Sequence, residues 1–255
     1  LLVKKKLASR KFFNFVFGIV FEYRLEHFTI MKLTRFFGIL SFAAIALSFT
    51  SCVDIFDEII MHNDGSGTFK YTINLSSNKV KVNSILALDS VNGKRVPKLP
   101  EIKEKIALYK QKLENKEGIS NVKVDANYED FVFKFSCDFA SVDKLQDAIK
   151  EIIKEESKDK NNPALDEKWL SWDGKQLIRS VPDIQAPIQK LSGEDQEGLK
   201  AGKYIAVTRF DSEVVKVDNA QAQISPSKTA VMIKSTPYAV SMNPSLLKNT
   251  ISIGN

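Results

Sequence analysis

The chain has 255 residues, with 37 Lys and Arg against 31 Asp and Glu, two His, two Cys and a formal net charge of +6. Eight of those basic residues and two of the acidic ones precede Cys52, which leaves 29 of each sign from there to the C terminus. A body so balanced has no global surplus of cations to neutralise phosphates, which argues against a nucleic-acid partner.

Residues 1–30 are rich in Lys and Phe, and Met31 is the first methionine. Their apolar run, Phe12–Phe21, contains Asn14 and stops at Glu22, short of the about 20 residues a bilayer span needs. With Met31 as the start, residues 1–30 are upstream sequence read in frame. The alternative is a basic extension. Either way they stand outside the fold.

Lys32 and Arg35 then precede FFGILSFAAIALSF, Phe36–Phe49, which is 14 positions without charge. Thr50, Ser51 and Cys52 follow. A basic start, a short apolar middle and a small-residue exit are the order of a secretory signal over 31–51. A cysteine directly after that exit resembles the lipobox of bacterial lipoproteins. Ser51 is then the last residue before the cut and Cys52 the lipidated one. Phe49 stands where that family has Leu. The resemblance implies a diacylglyceryl thioether on Cys52 and a further acyl chain, such as palmitate, on the new amino terminus. Two chains hold stably where one holds marginally. A general secretory signal with an incidental cysteine, or an uncleaved anchor, is the other reading of these residues.

Residues 52–57 read as a tether and 58–255 as the globular body, with a possible sub-boundary near 155–167. Glu58–Asn63, the turn Asp64-Gly65-Ser66-Gly67 and the alternating run TFKYTINLS predict a hairpin, its glycines supplying turn conformations. Residues 77–90 lean to a short helix, and 91–100 read as a loop with Asn92-Gly93. Ile102, Ile106, Tyr109 and Leu113 share one stripe, which predicts a helix over 101–117 ended by Gly118. A second hairpin follows over NVKVDANY and FVFKFSCDF, turning at Glu129-Asp130. Ser141 is then a predicted N-cap for a helix with core residues Val142, Leu145, Ile149 and Ile152.

Beyond the polar stretch 154–167, KWLSW and KQLIRSV predict a third hairpin turning at Asp173-Gly174. Residues 182–202 read as loop with a short helix. KYIAVTRF, EVVKVDN, AQAQIS and TAVMIKS read as strands, Asn243-Pro244 as a helix start, and ISI as a last strand. The expected class is α+β: antiparallel sheet built from hairpins, two main helices packed on it, and a strand-rich C-terminal part.

Chemistry-bearing motifs are sparse. His62 is the one histidine of the body and reads as a solvated strand-end residue. Cys137, in phase with Phe131, Phe133 and Phe135, reads as a small buried apolar residue, and with Cys52 lipidated it has no partner for an internal disulfide. Histidine and cysteine are too few for a zinc site. Asp64, Gly65 and Gly67 read as a structural turn, because the motif lacks the Lys-Ser/Thr of a phosphate loop. Trp169, Trp172 and Tyr204 are candidates to stack on a sugar or a lipid tail. No catalytic residue, metal or cofactor is assigned.

Signal, Cys52, tether and α+β body together resemble the uncharacterised envelope lipoproteins common in Bacteroidota. The stretch DGSGTFKYTINLS is similar to the opening of LppM-type lipoprotein domains. That resemblance implies a mixed fold with a possible apolar ligand cavity. The first reading is a non-enzymatic, lipid-anchored binding or assembly protein of the cell envelope, at the outer membrane on its periplasmic or surface face. Its partners would be the membrane and an envelope protein or apolar ligand. A lipid carrier with an internal cavity and a carboxylate-dependent hydrolase are the alternatives.

Overall fold

The computed structural model describes residues 53–91, 94–156, 165–181 and 193–254. The expectations for 1–30, for the signal, for the Ser51–Cys52 cut and lipidation, and for the Asn92-Gly93 turn lie outside the described residues. So does most of the polar stretch 154–167.

Strands β1 (Asp54–Met61) and β2 (Gly67–Asn74) form the first hairpin, with Asp54 opposite Asn74 and Met61 opposite Gly67. Here the tether over 52–57 is corrected. Val53 is fully buried, Ile55 is almost so, and the Ile55 N–H donates to the Lys203 carbonyl at 2.7 Å. The physical reason is period-two alternation: Val53, Ile55, Asp57, Ile59 and Met61 share one face, so the apolar pattern extends the strand to its start.

A 3₁₀ turn at Ser76–Asn78 leads into α1 (Lys79–Leu86). Two-residue strands β3 (Ser90–Val91) and β4 (Lys94–Arg95) pair within the expected loop. Helix α2 (Leu99–Glu114) starts earlier than predicted, because Pro100 fits the first turn, where its missing N–H is no loss. It also ends earlier. Gly118, at φ +75°, lies at the turn into β5 (Ile119–Asn127). The apolar stripe of α2 is half-buried, so this helix lies at the margin of the core.

Strand β6 (Val132–Phe139) pairs with β5 and β2. In α3 (Val142–Glu156) the Ser141 hydroxyl accepts the Lys144 N–H at 3.3 Å, and Val142, Leu145, Ala148 and Ile152 are buried. Strands β7 (Leu170–Trp172) and β8 (Gln176–Arg179) turn on Gly174 and Lys175, one residue later than predicted. The Asp173 N–H closes that turn on the Gln176 carbonyl.

Next come α4 (Gly193–Ala201), β9 (Tyr204–Phe210), β10 (Val214–Val217), β11 (Gln223–Ile224), β12 (Ala230–Ser235), α5 (Pro237–Met242) and β13 (Asn249–Ile253). The Thr236 hydroxyl caps α5 by accepting from Ala239 N–H at 3.1 Å. Asn243-Pro244 opens a short 3₁₀ turn instead of an α-helix.

The described residues thus hold five α-helices, where two main ones were expected. The larger sheet has seven strands in the order β11-β12-β9-β1-β2-β6-β5, and the smaller has four, β10-β13-β8-β7. Pairing is antiparallel except between β1 and β9. The class is mixed and mostly antiparallel, with strands rich in the C-terminal half.

One face of the larger sheet is covered. Towards the start of β1, Val53, Ile55, Ile73 and Tyr204 pack with Val82 of α1, Leu199 of α4 and Val240 of α5. Towards its end, Ile59, Met61, Phe139 and Phe210 pack with Leu145 of α3 and with Leu177, Ile251 and Ile253 of the smaller sheet. Each fully buried Ile or Leu here stabilises by about 1.5–3 kcal/mol relative to exposure.

Candidate functional site

Three places concentrate polar or exposed groups. The first is the opposite face of the larger sheet, against which neither core packs. Alternation sends Phe56, Glu58 and Ile60 of β1 to this face, with Thr68, Lys70 and Thr72 of β2 and Ile205, Val207 and Arg209 of β9. Phe56 lies beside Ile205, and Val207 beside Met232 of β12. Phe56 is 38% exposed and the other three are half-buried, so together they form an apolar strip.

Glu58 sits next to that strip, between two cations. Arg209 Nε donates to Glu58 Oε1 at 2.6 Å, and Lys70 Nζ lies 3.1 Å from Oε2. Partial burial would raise the Glu58 pKa, but Arg209 and Lys70 outweigh it and hold the carboxyl below its ordinary value.

The second place is a buried ionic cluster between the two sheets. Arg179, on β8 of the smaller sheet, donates to Asp57 Oδ2 of β1 at 2.5 Å, and the Tyr204 hydroxyl donates to the same oxygen at 3.2 Å. Asp57 Oδ1 is buried without a partner among the described residues. Burial, reinforced by the Asp57 charge, pushes the Tyr204 and Tyr71 phenols well up, so both stay neutral. Burial works against the Arg179 charge, but Asp57 outweighs it and the guanidinium is held more firmly protonated. The cavity beside Arg179, lined by Thr208, Ile233, Leu247 and Asn249, measures about 10 Å³ and is at most water-sized.

Sequence reasoning missed this cluster, because Asp57 was grouped with the acidic tether. The available signal was its place in phase with Ile55 and Ile59. The cluster also corrects Tyr204. It is 8% exposed with its hydroxyl engaged, so it is not free to stack on a ligand. Neither tryptophan is fully buried. Trp172 stacks on Phe210 with ring centroids 6.2 Å apart, and the Lys150 amine lies 5.3 Å from the Trp169 ring.

The third place is an open groove of about 380 Å³ at the far end of β1, lined by His62, Ser66, Thr68, Ser120 and Asp138. His62 Nδ1 lies 3.0 Å from Asp211 Oδ2. A serine or threonine nucleophile at this histidine would need its hydroxyl bonded to that imidazole. Instead Ser66 donates to Asp64 and Thr68 donates to Asp138, whose other oxygen accepts from Asn121. Asp64 and Gly65 form the predicted turn, with Gly65 at φ +87° beneath Trp172, while Gly67 opens β2. Cys137 is buried, and burial with the Asp138 charge pushes its thiol up to about 11. Among the described residues no three His, Cys, Asp or Glu side chains gather to hold a metal ion, and no helix is long and apolar enough to cross a membrane.

No family model and no curated protein matches the chain. It is similar to the NMR structure of the folded domain of LppM from Mycobacterium tuberculosis, at 11% identity over 79% of this chain and 89% of that one. The TM-score is 0.34, too low to establish a shared fold.

Proposed function

We propose that the chain is a lipid-anchored, non-enzymatic binding protein of the cell envelope that presents the open face of its larger sheet to a protein partner. The observation that carries this reading is the asymmetry of that sheet. One face is sealed by two cores, while the other bears Phe56, Ile205, Val207 and Met232 beside the Glu58–Arg209–Lys70 trio. An apolar strip rimmed by charges of both signs is the composition of a protein-binding patch. The anchor is the lipid expected on Cys52. A carrier of an apolar ligand would need a cavity larger than the one at Arg179.

The test has two arms. Cys52→Ser should move the protein from the membrane to the soluble fraction, and undiminished membrane partitioning would refute the anchor. A photo-crosslinking residue at position 56 should give a discrete protein adduct in intact cells, and Val207→Asp should abolish it. An adduct insensitive to Val207→Asp would refute the sheet face as the binding surface.

A further inference from the structure

The short reach between Cys52 and the packed body has a geometric consequence for how the protein sits on a bilayer. Consecutive Cα atoms lie about 3.8 Å apart, so Cys52 can be no farther than that from Val53. Val53 is fully buried, and a Cβ added to Gly202 would lie only 2.1 Å from the Val53 carbonyl oxygen. Asp54 Oδ1 accepts the Lys203 N–H at 2.9 Å, which closes the same corner. No flexible segment therefore separates Cys52 from the fold.

Resting on the anchor reading above, we infer that the corner around Gly202 lies within the phospholipid headgroup layer of the bilayer that holds the anchor. A diacylglyceryl thioether on Cys52 places that sulfur at the glycerol level, at the boundary of the hydrocarbon core. The headgroup layer above it is only about 5–8 Å thick on each side. One side chain and one peptide unit reach about as far as that layer is thick, so Val53 stays within it or at its outer edge.

The residues beside Val53 suit that layer. Lys200 and Lys203 are exposed, and the Lys200 amine lies 5.0 Å from the Tyr238 ring while also pairing with Glu197 at 2.7 Å. Lysine and tyrosine are residues of membrane–water interfaces, each with an apolar body and a polar tip. Strand β1 runs for about 25 Å from this corner, and the His62 groove lies at its far end.

The test uses the full acylated chain in vesicles of phosphatidylethanolamine and phosphatidylglycerol doped with a headgroup spin label. Single cysteines replace Ala201, Lys203 or, at the far end, Ser120, and each carries an environment-sensitive fluorophore. Cys137 is buried and does not compete for the label. The chain should float with the vesicles, and labels at 201 and 203 should be quenched several-fold more than the label at 120. A flexible Gly-Ser insertion between Cys52 and Val53 should keep flotation and erase that difference. Flotation with equal quenching at all three sites would overturn the flush seat and leave the anchor standing, as would a difference that survives the insertion. Failure to float would overturn the anchor and this inference together.

Discussion

Arg179 of the smaller sheet and Asp57 of the larger sheet form an ion pair at 2.5 Å, between elements 122 residues apart in sequence. The pair bridges the two sheets beside the buried Thr208 and Asn249. Breaking it from one side strands a buried charge. Asp57→Leu or Arg179→Met alone should each destabilise the fold by about 3–5 kcal/mol in urea unfolding. The double variant should recover most of that loss, because two apolar side chains leave no orphan. A double variant as unstable as the singles would show that the pair is not the relevant coupling.

On the open face, acid should weaken the fold through Glu58. Its folded pKa lies below the ordinary 4.5, so its contribution is fully present above that value and is lost as pH falls through the folded pKa. Glu58→Gln should flatten the acid limb of stability against pH. The change at neutral pH should be only about 0.5–1 kcal/mol and should shrink with added salt, because Arg209 and Lys70 are about half exposed.

Gly67 tolerates no side chain. A Cβ there would lie 2.0 Å from the Ile60 carbonyl oxygen and 2.6 Å from the Phe139 ring. Gly67→Ala should cost about 1–3 kcal/mol, the range for overpacking a well-filled site. At Gly174 a Cβ meets nothing within 4 Å, and only its φ of +97° opposes a side chain. Gly174→Ala should therefore cost about 1 kcal/mol. Thermal unfolding of the two variants side by side checks the ranking.

Thiol chemistry gives an independent check of the interior. Cys137 is 4% exposed, and burial with the Asp138 charge pushes its pKa to about 11. At neutral pH it should not react with a disulfide reagent until the protein unfolds. Rapid labelling in the native state would contradict the packing of β6 against α3.

Much of this architecture could be read from the chain itself. Local patterns placed the first two hairpins, α3 and the strands after 203, because alternation and caps act between near neighbours. The same patterns did not place α5, because its Val240 needs a core that residues distant in the chain supply.

The residue pattern alone determined a charge-balanced body, a buried Cys137 and a mixed, mostly antiparallel fold. Tertiary structure decided the rest. It joined β1 in parallel to β9, made Asp57 a buried partner of Arg179, withdrew Tyr204 from the surface and turned the supposed tether into the central strand of a sheet. Each of these depends on contacts between residues more than 100 positions apart, and alternation or capping within a short window carries no information about which distant strand will supply the neighbour.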